Sequence, residues 1–201
     1  MSKAWVGILT MCLIAAVAAN CARKPPESAD RVVPEPVAVR WDGTQGAAAW
    51  TAAAMAALDA QGAPLVAITP TDIDAYCPAY AGMDADARKA FWVNLVASLS
   101  YHESTWRPDV SGGDGRLHGL LQISPATAQG YGCTARTAET LKVGAANVAC
   151  AIRIMATTVP RDDVISRDMR GVAADWGPFH QARKRTDIQT YTQELPYCRQ
   201  S

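Results

Sequence analysis

The stretch DADARKAFWVNLVASLSYHES, residues 84–104, carries the marks of a long helix. Asp84 is placed to cap its start, and Asp86 adds an acid to the first turn, where free backbone N–H groups and the helix dipole favour anions. Phe91, Leu95 and Leu99 recur at helical spacing, as do Trp92, Val96 and Leu99. At 100° per residue, Trp92, Val96 and Leu99 each lie within about 40° of Glu103. Glu103 therefore projects from the face expected to be buried. A carboxyl group against apolar surface has its charged form disfavoured, so its pKa rises. That suits a general acid working near neutral pH. The residues alone also allow a surface glutamate at a frayed helix end.

Outward from this helix, residues 111–116 are rich in Gly and Asp and predict a loop or tight hairpin. Shorter helices are expected near 124–130, 137–142, 145–158 and 167–176. On the other side, residues 69–83 suggest a short helix or a loop that carries Cys77. Residues 44–61 are Ala-rich with Trp50, Met55 and Leu58, and Gly62 and Pro64 stop the helix they predict. The expected class is mainly α, with a short loop or β-hairpin after the long helix. No internal repeat is visible.

Ahead of this domain, residues 22–40 (ARKPPESADRVVPEPVAVR) hold four prolines and mixed charges with no period, the composition of an extended tether. The first twenty residues combine Lys3 with an apolar run from Ala4 to Ala19 that ends in small residues, the pattern of a secretory signal peptide. A retained membrane anchor is the alternative, although the run is short against the roughly 20 apolar residues that span a bilayer. The division expected is a signal peptide over 1–20, a Pro-rich tether over 21–41 and a folded domain over 42–201.

Export gives the cysteines a context. Cys12 lies in the leader, which leaves Cys21, Cys77, Cys133, Cys150 and Cys198. The sequence Val17-Ala18-Ala19-Asn20-Cys21 partly matches a lipobox, with Asn20 departing from the usual small residue. Lipidation at Cys21 would attach an exported protein to the outer membrane and leave four cysteines to pair. Cleavage after Ala18 or Ala19, leaving Cys21 as a free thiol, is the other reading. Four cysteines allow three connectivities. Cys133 and Cys150 lie close in sequence and are paired here, leaving Cys77 with Cys198 to tie the tail to the front of the domain.

The 201 residues suffice for one domain with a real core, and 49% are hydrophobic. Lys plus Arg and Asp plus Glu number 19 each, a balance that argues against nucleic acid as a partner. The histidines His102, His118 and His180 lack ligand spacing with one another or with the cysteines, so neither a metal nor a cofactor is expected.

Several short motifs fall in one order. Tyr101-His102-Glu103-Ser104-Thr105-Trp106-Arg107-Pro108 is followed by Ser111, and then by Gly119-Leu120-Leu121-Gln122-Ile123-Ser124-Pro125-Ala126-Thr127-Ala128. Asn147-Val148 and Ala173-Ala174-Asp175-Trp176-Gly177-Pro178 come later. This series, over roughly residues 85–185, resembles the soluble lytic transglycosylase family, whose fold is that of goose-type lysozyme. The family shows Glu-Ser, a Pro, a loop Ser, then Gly-Leu-Met-Gln with a following Pro and Thr-Ala. Here Leu121 replaces the Met, Ala174 stands where the family has Tyr, and Asp175 where it has Asn.

The resemblance implies cleavage of the β-1,4 bond between N-acetylmuramic acid and N-acetylglucosamine in peptidoglycan. Glu103 would protonate the leaving oxygen, then deprotonate the sugar's own C6 hydroxyl, closing a 1,6-anhydro ring. No second catalytic carboxylate is then needed, unlike the usual glycosidase pair; Asp109 and Asp114, the nearby candidates, read as turn residues. Ser111, Gln122, Ser104 and Asp175 are the implied saccharide-binding residues. Trp106 and Trp176 are open to either sugar stacking or core packing, and Tyr101 or Tyr131 could replace the absent Tyr hydroxyl. The competing expectations are a hydrolytic muramidase of the same fold and a non-catalytic saccharide-binding envelope lipoprotein.

Overall fold

Gly46, left-handed at φ 96°, turns the chain into its first helix, and Pro64 starts the second. The computed structural model describes Met1 and residues 38–199. Among them the chain forms α1 (Ala47–Asp59), α2 (Ala63–Ala67), α3 (Ala85–Ser104), a hairpin of β1 (Ser111–Gly112) and β2 (Leu117–His118), α4 (Pro125–Gly130), α5 (Ala138–Leu141), α6 (Gly144–Asp162) and α7 (Ala182–Gln193). Short 3₁₀ turns complete it. This is the mainly helical, lysozyme-like class expected, with a two-stranded antiparallel hairpin after the long helix. The expected leader, and Cys21 with most of the tether, lie outside the described residues.

Asp84 caps α3 as its sequence implies, its carboxylate accepting from the Ala87 N–H at 2.8 Å. The burial of α3 goes beyond the single apolar stripe expected. Every residue from Ala90 to Ser100 is buried, so α3 runs through the interior with neighbours on all sides. It packs against α1, α2, α6 and α7. Small residues (Ala97, Ser98, Ser100) make room where apolar ones do not fill the face. Asn94, fully buried, satisfies its amide by joining distant segments: its oxygen accepts from Arg40 N and Tyr191 Oη, and its nitrogen donates to the Ala38 carbonyl and to Tyr197 Oη. A buried amide left without partners would cost on the order of 1–3 kcal/mol, which makes Asn94 a fixed junction.

Three departures from the expected elements have physical causes. Val39 and Trp41, read from sequence as part of the tether, are buried at 6% and 0% exposure, and Trp41 packs edge-on against Trp50 at 5.6 Å. The expected helix near 167–176 is instead two 3₁₀ turns, Arg167–Met169 and Gly171–Ala174. The Asp72 carboxylate takes the N–H groups of Ile165, Ser166 and Arg167, and Asp168, Met169 and Gly171 have positive φ, so no α-helix can propagate there. α7 was not anticipated at all. Its sequence ARKRTDIQTYTQ buries only Ile188 and Thr192, too few to show an apolar period.

Both disulfides are formed: Cys133 with Cys150, and Cys77 with Cys198. The second joins the turn before α3 to the C-terminus across 121 positions.

Candidate active site

Glu103 occupies the last turn of α3. The chain then reverses sharply, with Thr105 and Trp106 at φ 54° and 57°. Ser104 fixes this reversal: its buried hydroxyl donates to the Ser100 carbonyl and accepts from Arg107 N, each at 3.3 Å. At 4% exposure its hydroxyl is engaged by these two backbone groups. Trp106 lies back over the helix and donates from its indole to the Ala97 carbonyl at 2.9 Å. No hydrogen bond from the described residues reaches the Glu103 carboxyl. Burial pushes its pKa from 4.5 up to about 7, while the nearby Lys184 pulls in the other direction. A group in that state is about half protonated at neutral pH, and no hydrogen-bond acceptor among the described residues takes its proton.

The loop that carries Gln122 is held from two sides. Asn147, fully buried at the start of α6, accepts from Leu121 N at 2.8 Å and donates to the carbonyls of His118 and Leu141 at 3.0 and 2.9 Å. Trp176 donates from its indole to the Leu121 carbonyl at 2.9 Å. Gly119 is required here: at φ 80°, a Cβ would lie 2.1 Å from the Leu141 carbonyl oxygen. Gln122 itself is left-handed at φ 46°, a conformation that non-glycine residues hold at some cost and mostly at functional sites. Its amide nitrogen donates to the Gly119 carbonyl at 2.8 Å, and its amide oxygen lies over Gly112.

Ser111 and Gln122 are thus brought to one hairpin. Ser111 pairs in register with His118, and its exposed hydroxyl meets His118 Nδ1 at 2.9 Å. His118, 6% exposed, is a structural partner. Asp175 belongs to a different contact: its carboxylate accepts from Tyr131 Oη at 3.0 Å, which links the end of α4 to the 3₁₀ segment before Trp176. Burial pushes the Asp175 pKa upward, against the Tyr131 hydrogen bond and Arg161. Tyr131 is therefore committed to Asp175. Tyr101 is 39% exposed and stacks on Trp106. No hydrogen bond joins Glu103 to either tyrosine, or to Ser111, Gln122 or Asp175. Asp114 stands in solvent on the hairpin turn at φ 56°, and Asp109 is exposed.

Residues 83–163 match the transglycosylase SLT domain. The match contains Glu103, the hairpin, the Gln122 loop and all of α6. The chain thus carries a transglycosylase SLT domain. Among solved structures the chain is similar to DslA in its wild-type form, at 28% identity and a TM-score of 0.72, covering 81% of this chain and 98% of that one. Two mutants of DslA give the same TM-score at 28% and 26% identity. No curated protein matches the sequence. With the SLT domain and this likeness, the protein is a lyase-type enzyme that cleaves the glycan of peptidoglycan.

Sequence reasoning missed one cluster beside the end of α3. Asp187 on α7 binds both Arg40 and His102, the residue before Glu103. Arg40 was assigned to the tether and Asp187 to no element, so no local pattern pointed to either.

Proposed function

We propose that Glu103 is the single acid and base of the reaction, and that the product carries a 1,6-anhydro ring. Protonated Glu103 gives its proton to the oxygen leaving from the bond between N-acetylmuramic acid and N-acetylglucosamine. The resulting carboxylate removes the proton from the muramoyl C6 hydroxyl, whose oxygen bonds to C1. Proton and bond counts balance without water or a cofactor. The observation that carries this reading is a half-buried carboxyl group, its pKa pushed by burial up to about 7, with no hydrogen bond from the described residues to occupy it. A donor that must later act as base works best with a pKa near the operating pH. Solvated Asp114 and Asp109 make poor partners for a two-carboxylate mechanism.

Ser111 on the hairpin and Gln122 on the loop after it, with Asp175, supply the polar contacts to the saccharide in this proposal. The leader, the tether and the two disulfides support export to the periplasm, with Cys21 as the point of lipid attachment to the outer membrane.

Digestion of purified peptidoglycan by the protein and by Glu103→Gln, with products resolved by mass spectrometry, tests the chemistry. Products lighter than hydrolysis products by one water, absent with the variant, are expected. Reducing-end sugars instead would establish a hydrolytic muramidase. Binding without any product from folded protein would establish a saccharide-binding protein.

A further inference from the structure

Charged groups from three segments converge on the residue that precedes Glu103. His102 Nε2 lies 2.7 Å from Asp187 Oδ2. The same carboxylate accepts from Arg40 Nη1 at 2.8 Å and from Nη2 at 3.2 Å. Arg40 reaches it from the strap of residues 38–41, with its guanidinium over the rings of Tyr101 and Tyr191 at 5.1 and 4.7 Å. One carboxylate on α7 thus serves a guanidinium from the strap and an imidazole from α3. Lys184, one turn earlier on α7, is felt by both His102 and Glu103. The charges facing His102 are therefore Asp187 and Lys184 from α7 and Arg40 from the strap. Among the described residues, Lys184 is the charge that pulls the Glu103 titration down.

We propose that Arg40 is a positioning residue for Glu103: by saturating Asp187 it lets His102 bond that carboxylate as a neutral imidazole, which keeps an imidazolium away from the adjacent carboxyl group. A carboxylate with histidine as its only partner draws a proton onto the ring. A bidentate guanidinium already compensates the charge and removes that pull. Burial, with Arg40 and Lys184, holds the His102 titration below its usual range against the raising effect of Asp187. A cation at His102 would favour ionised Glu103 and take away the proton that the leaving oxygen needs. The inference rests on the reading of Glu103 as proton donor. It makes the strap part of the catalytic unit, with an electrostatic task of its own.

The test uses the full chain and its variants Arg40→Met, Arg40→Lys, His102→Gln and the double variant R40M/H102Q. The His102 ring titration is followed by NMR, glycan release is measured against pH, and binding to insoluble peptidoglycan is measured separately. In Arg40→Met the His102 titration should move up and the alkaline limb of activity down by about one pH unit, a tenfold change in the protonated fraction. Binding should stay unchanged. Arg40→Lys should hold both titrations near those of the parent, and R40M/H102Q should show the limb of His102→Gln alone. An unmoved His102 titration in Arg40→Met, or a limb shift that persists in the double variant, overturns the proposal. If Arg40→Met does not fold, Arg40→Gln, which keeps a hydrogen-bond donor without the charge, carries the same two readouts. Full activity in Glu103→Gln would remove the catalytic reading instead, and the His102 titration would still decide the electrostatics of the cluster.

Discussion

At the scale of one residue, Glu103 sets function against stability. Its carboxyl group titrates at 4.5 when solvated and near 7 in the fold. The folded state therefore binds more protons than the unfolded state between those values. Stability is highest below 4.5 and is lost as pH rises towards 7. Above that window the ionised side chain costs about 3 kcal/mol. Glu103→Gln removes the charge while keeping the shape. It should raise stability by that amount at pH 8 and change it little at pH 4, as read by urea unfolding at the two values. Equal effects at both would show that the carboxyl group is solvated. Glu103 was legible in the sequence because the three apolar residues flanking its angular position mark the face of the helix. Its freedom from hydrogen bonds was not legible, since that depends on what the other elements leave unoccupied.

At the scale of elements, the sequence declares those that carry their own punctuation. Asp84 caps α3, and Thr137 caps α5 with Thr140 reciprocating. Ser124, with Pro125 after it, starts α4. Elements held by tertiary contacts stay silent, as α7 and the strap show. The Gln122 loop depends on such contacts too, because Asn147 reaches it from 25 positions downstream. Asn147→Ala would strand the Leu121 N–H and the His118 and Leu141 carbonyls in a buried place. Each stranded group costs on the order of 1–3 kcal/mol. A loss of about 3 kcal/mol is expected in denaturant unfolding, with weaker binding to peptidoglycan as the Gln122 loop slackens. A variant that unfolds like its parent would mean that other contacts hold the loop.

At the scale of the whole molecule, two disulfides differ in what they constrain. Cys77–Cys198 spans 121 positions and Cys133–Cys150 spans 17. Chain-entropy arguments assign about 5 kcal/mol to a loop of the first size and about 3 kcal/mol to one of the second. Replacing Cys77 and Cys198 together by Ala should therefore lower the melting temperature further than replacing Cys133 and Cys150. The reverse order would point to strain or residual structure as the larger effect. The burial of α3 on every side has a kinetic counterpart. Backbone amides between Ala90 and Ser100 can meet solvent deuterium only when the domain opens as a whole, whereas the short hairpin can open by itself. The proton donor proposed above thus rides on the helix that contains this segment, while the hairpin carrying Ser111 can open more readily. Under the roles proposed for Glu103 and Ser111, such a pairing lets a bulky, cross-linked polymer be admitted and released at the hairpin while the acid stays in place.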